Sequence, residues 1–145
     1  MRIVYVIAIA VLMSPCYGKA QQKSGEGLGC FEDLVAPEYP KAALQAHIDG
    51  TVWTTTQVNP QGGIGKIETQ VVSAWADGSK LLTPPVEKAI RAAKVKSECA
   101  GKSVPVVFRY QLFGEPVPNP KATSRTEKPN ILWIESQPES IKPQH

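Results

Sequence analysis

The chain has 145 residues, 42% of them hydrophobic, with 16 Lys and Arg against 13 Asp and Glu and a formal net charge of +3 at pH 7. That length suits one modest domain with flanking segments, and without a basic run interleaved with aromatics nucleic acid is not an expected partner. No GxSxG, HExxH or phosphate-loop pattern occurs, which removes the commonest catalytic signatures.

In chain order, residues 1–20 read as an export signal. Arg2 supplies the positive start, Ile3 to Met13 the apolar stretch, and Gly18-Lys19-Ala20 small residues at the two positions a signal peptidase reads. The apolar run is far short of the ~20 residues that span a bilayer. Cleavage near Ala20 and a periplasmic product are therefore expected, with retention as an inner-membrane anchor the alternative. Residues 21–30 are polar and glycine-rich and read as a flexible arm.

Pro40 suits a first helical position, where its missing N–H would lack a partner anyway. Lys41 to Ile48 is rich in helix formers, and Asp49-Gly50 is the expected stop, with glycine in the left-handed cap. The next strand alternates, Val52, Thr54, Thr56 and Val58 on one face and Trp53 on the other. Asn59-Pro60-Gln61-Gly62-Gly63 signals a turn. Ile67, Thr69 and Val71 mark the returning strand, with a bulge expected at Gly65. Trp75 to Thr83 reads as a loop. Pro84-Pro85 then opens a second helix, in which Val86, Ala89, Ile90 and Ala93 recur at helical spacing.

In the third strand Val104, Val106, Phe108, Tyr110 and Leu112 share one face, and Pro105, Val107, Arg109 and Gln111 the other. Pro105 cannot donate to a ladder, which places this strand at a sheet edge. The expected fold is α+β, two helices on a three-stranded antiparallel sheet over residues 31–113 with the first strand central. Six prolines after Gly114 make residues 114–145 read as a tail of linker composition. Its apolar island Ile131–Ile134 can add one short strand or dock in a groove.

Cys30 and Cys99 survive cleavage, and an even pair in an exported chain is most simply a disulfide. A metal or redox pair would want further ligands or a CxxC spacing, and the chain has neither. No catalytic residues, metal site or cofactor is expected. His47 reads as a surface histidine, Glu32 and Asp33 as solvated charge, and Tyr39 and Trp53 as packing residues. The chemistry worth naming is the backbone of an edge strand, whose open N–H and C=O groups an extended peptide can complete. Blunting of that edge by Pro105 and Arg109 is the competing reading.

Pro37-Glu38-Tyr39-Pro40, Ala42-Ala43, Ile48-Asp49-Gly50-Thr51-Val52, Val58 with Gly62-Gly63-Ile64, and Val71-Val72-Ser73 together resemble the C-terminal domain of TonB, the periplasmic end of a bacterial energy transducer. The resemblance runs through Leu81-Leu82, Val86 to Lys94 and Val104 to Leu112. It implies a role in TonB-type transmembrane transport, in which the last strand pairs with a short extended segment of an outer-membrane transporter. Carried onto this chain, the partner-binding edge is Val104, Val106, Val107, Phe108, Arg109, Tyr110, Gln111 and Leu112.

Family transducers have a membrane helix and a long proline-rich spacer before the domain. Here a cleavable leader and a short arm precede it, so an exported, non-enzymatic binding module is expected rather than a force transmitter. Its partner is a transporter or other envelope protein, and an open third strand would also admit a second copy. The alternative is a self-contained structural module, with Ile131–Ile134 folded back onto the edge.

Overall fold

The computed structural model describes residues 27–142. The expected leader, its expected cleavage point and residues 21–26 of the expected arm lie outside the described residues. The elements are α1 (Lys41–Gln45), β1 (Gly50–Val58), β2 (Ile64–Val72), α2 (Gly78–Ala92), β3 (Ser103–Leu112), β4 (Thr123–Glu127) and β5 (Ile131–Ser136). All five strands form one mixed sheet in the order β2-β1-β3-β5-β4.

The α+β class is as expected, but the three-stranded antiparallel sheet is not. β1 pairs antiparallel with β2 and β3, as the alternation implies. β5 then lies parallel to β3 from Val107↔Ile131 to Leu112↔Ser136, and β4 pairs antiparallel with β5. The prolines that give the tail its linker composition lie between these strands and not in them: Pro116, Pro118 and Pro120 precede β4, Pro129 sits in the turn, and Pro138 follows β5. Leu132 and Ile134 alternate inward and are buried, so the extra strand offered by the apolar island forms.

Pro105 is the residue whose meaning changes. Val107 N–H donates to Asn130 O at 2.8 Å and Phe113 N–H to Ser136 O at 3.0 Å. Odd-numbered residues of β3 therefore point their N–H groups toward β5, and even-numbered ones toward β1. Pro105 belongs to the odd series but lies before β5 begins, so its missing donor costs no ladder bond. Proline here marks the end of pairing on one side, and β3 is an interior strand.

Two local readings also shift. α1 ends at Gln45, and His47, not Gly50, takes the left-handed conformation at φ 55°, while Ile48 N–H donates back to Ala43 O at 2.8 Å. α2 begins at Gly78, well ahead of Pro84. Leu82, Val86 and Ile90, all fully buried, form its inward stripe at four-residue spacing. Pro84 and Pro85 inside the helix deprive the carbonyls of Lys80 and Leu81 of their usual donors; Pro84 is exposed and Lys80 is largely so. The bulge falls at Gly65, where the register slips between Thr56↔Ile67 and Val58↔Ile64.

The core lies on the face of Val52, Val58, Val104, Val106 and Phe108, with α2 stacked on β1 and β2. The Cys30–Cys99 disulfide forms, with Cα atoms 5.7 Å apart across a sequence separation of 69. A closed loop of that length stabilises the fold by about 4 kcal/mol in the chain-entropy model. Beside it Lys96 N–H donates to Cys30 O and Glu32 N–H to Lys94 O. Leu28 N–H donates to Pro129 O at 3.1 Å, tying the N-terminal segment to the β4–β5 turn. Gly27 is required there, because a Cβ would come within 2.6 Å of Pro105 O and collide with Asn130.

Tyr39 joins α1 to the sheet. Its hydroxyl donates to Ile48 O at 2.8 Å, and its ring meets Tyr110 edge-on at 5.1 Å. Burial raises the pKa of both phenols, helped by the Asp49 carboxylate at Tyr39 and by Tyr39 at Tyr110. The folded phenols thus stay protonated where unfolded ones ionise, near pH ~10. Their contribution is fully present below that pH and is lost as pH rises above it. Tyr39→Phe is expected to flatten this alkaline loss while costing about 1 kcal/mol at neutral pH for the missing hydrogen bond. Urea midpoints between about pH 8 and about pH 11 measure both.

Candidate partner-binding edges and the open sheet face

The residues expected to form a partner-binding edge are all on β3, and β3 is not an edge. Val104, Val106, Phe108 and Tyr110 are buried under the helices, and Val107 is buried on the opposite face. From Val107 to Leu112 the backbone side away from β1 faces β5. Arg109 lies beneath Trp133, Gln111 is exposed and Leu112 is half-buried. Strand addition along these eight residues would require β5 to leave, with Leu132 and Ile134 passing into water.

The sheet's outer strands are β2 and β4. β4 has five residues, all exposed. β2 is nine residues long, contains no proline, and has α2 packed beside it. Alternation carried across from β3 and β1 turns the N–H and C=O groups of Ile67, Thr69 and Val71 outward. At the bulge the Arg91 guanidinium donates to the Gly65 carbonyl at 3.4 Å. At the Ile64 end the edge opens into a cleft of about 700 Å³, flanked by Arg91 and Lys94. Lys94 is engaged there, its N–H donating to Asp33 Oδ1 at 2.7 Å and its ammonium 3.3 Å from Glu32. Glu32 and Asp33 thus fasten the end of α2 rather than standing as free charge.

The face of the sheet away from the helices carries two cross-strand rows. One runs Gln70, Trp53, Val107, Ile131 and Glu127; the other runs Val72, Thr51, Arg109, Trp133 and Arg125. Arg109 and Arg125 lie over the Trp133 ring at 4.9 and 4.3 Å from its centroid. The indole N–H donates to Glu127 at 2.9 Å, and Arg125 bonds Glu135 at 3.3 Å. The stack lets the sheet hold Arg109, whose Nε is enclosed without a hydrogen-bond partner. Trp53 is half-exposed on this face while Tyr39 is buried, so of the two aromatics read as packing residues only Tyr39 is enclosed.

Sequence reading missed this ladder; with the first strand central it put β2 at an edge, as found, but looked for the partner at β3. The signal in the tail is the apolar island Ile131–Ile134, which the sequence offers as one short strand, whereas Thr123–Glu127 is wholly polar and carries no alternation. Among the described residues no group of three or more His, Cys, Asp or Glu is placed to hold a metal ion. His47 is exposed, and its Nε2 lies 3.4 Å from Glu139 O.

The disulfide fits an oxidising, exported compartment. Among the described residues no helix is long and apolar enough to cross a membrane. Trp133→Ala is expected to lower the unfolding free energy by about 1–3 kcal/mol through loss of both cation–π contacts and the bond to Glu127, read from urea denaturation. Comparison with protein-family models, with curated proteins and with solved structures returns no match.

Proposed function

We propose that the protein is an exported, non-catalytic binding module of the TonB C-terminal type, in which strand addition takes place at β2 instead of β3. The partner is an extended segment of an outer-membrane transporter or other envelope protein, met in the periplasm after cleavage near Ala20. The observation that carries the reading is the outer edge of β2, with the backbone groups of Ile67, Thr69 and Val71 turned outward and α2 alongside. Main-chain bonds there would supply affinity, and alternate side chains of the incoming strand would supply register.

A second reading is favoured by one specific feature. β5 already completes β3 in cis, as a self-capped structural module with no transport role would have it. Titrating the labelled protein with extended transporter-derived peptides of about six residues separates the two. Strand addition at β2 predicts amide shifts centred on Ile67, Thr69 and Val71. It also predicts that Thr69→Pro, which removes an outward donor and no bond to β1, weakens binding by at least about tenfold with little change in thermal stability. Shifts confined to β3 and β5 would mean that the peptide displaces β5, contrary to the proposal. Absence of binding by any such peptide would favour the structural module.

A further inference from the structure

The segment after β5 returns to α1 and leaves one acidic group in an unusual state. Glu139 is only 9% exposed, and its Oε2 is enclosed with no hydrogen-bond partner. The backbone around it is fixed. Glu139 N–H donates to Leu44 O at 3.1 Å, the residue bridges to Val117, and His47 Nε2 approaches its carbonyl at 3.4 Å. The fold therefore sets where this carboxylate sits and leaves its enclosed Oε2 without a donor. Buried carboxylates are tolerated where donors or a counter-charge meet them.

Glu139 lines a cleft of about 470 Å³ together with Lys41, Gln45, Asn119, Ser140 and Lys142, a volume within the usual range for small-molecule sites. Lys41 and Lys142 are exposed and form no ion pair among the described residues. The charges decide what suits this cleft. A simple cation meets two lysines at the mouth, and a simple anion meets Glu139 inside. A molecule carrying both signs on neighbouring atoms satisfies all three. The non-glycine residues with positive φ among those described, His47 at 55° and Asn119 at 52°, both border this place.

We propose that the cleft binds a small zwitterion of the α-amino-acid class, its ammonium group against Glu139 and its carboxylate toward Lys41 and Lys142. The proposal is independent of strand addition at β2. The test titrates the full exported chain with glycine, L-alanine and D-alanine, and with ethylamine and propionate as the two halves of alanine. Binding is read from the amide shifts of His47, Glu139 and Ser140.

At least one amino acid is expected to saturate these shifts, binding at least about tenfold more tightly than either half. Glu139→Gln is expected to weaken that binding by about tenfold or more. Lys41→Met combined with Lys142→Met should weaken the amino acid but not ethylamine, which keeps the proposal testable if the Glu139 variant folds poorly. No saturable shift with any of the three amino acids would overturn the proposal. So would equal binding by either half, or a Glu139-dependent loss of stability in the lysine variant, which would show that the chain's own lysines satisfy the carboxylate.

Discussion

A strand that buries side chains on both of its faces cannot leave a row of backbone groups without partners. β3 buries Val104, Val106, Phe108 and Tyr110 toward the helices and Val107 on the other side, so water has poor access to its main chain. β1 completes one side and β5 the other. The remaining architecture follows. β5 runs parallel to β3, which requires a connection long enough to travel back along the sheet. β4 supplies it, running back from Thr123 opposite Glu135 to Glu127 opposite Ile131. β4 then pairs with β5 on its far side and takes the outer position, where its five exposed residues are at home.

The N-terminal segment and the disulfide close the structure at the opposite end of the chain order. Cys30 is covalently joined to the α2–β3 connection, and Leu28 is hydrogen-bonded to the β4–β5 turn. The segment from Gly27 to Glu32 thus touches both the older part of the sheet and the hairpin that completes it. Stability and capping are coupled through this clasp, since the disulfide and the bonds of Cys30 and Glu32 to Lys96 and Lys94 hold the segment that bonds Pro129. The open face depends on the same hairpin, because Trp133 and Arg125 come from β5 and β4 while Arg109 comes from β3.

Much of the fold from Lys41 to Leu112 was legible because periodicity there is strong. Val52 to Val58 and Val104 to Leu112 alternate cleanly, Asn59 to Gly63 carries turn chemistry, and the two cysteines pair as expected. What escaped reading was context. Proline 105 announces a missing donor, yet nothing local says whether that donor points at a neighbour or at the end of one. Pro84 and Pro85 look like a helix start because interior prolines are costly, while the Leu82–Val86–Ile90 stripe outweighs them. In the tail the Ile131–Ile134 island was legible as one added strand, but its wholly polar partner Thr123–Glu127 was not, and so the ladder around Trp133 and the buried Glu139 went unseen. The candidate site moves with the topology, since the outer strands are β2 and β4 and not β3.

Amide hydrogen exchange on the native protein tests the central claim most directly, because it reads the pairing of individual N–H groups. If β5 caps β3, the amides of Val107, Arg109 and Gln111 exchange as slowly as those of Val106 and Phe108, while Ile67, Thr69 and Val71 on the outer side of β2 exchange rapidly. Rapid exchange at Val107, Arg109 and Gln111 would contradict the account, since it would leave β3 as the open edge of the sheet.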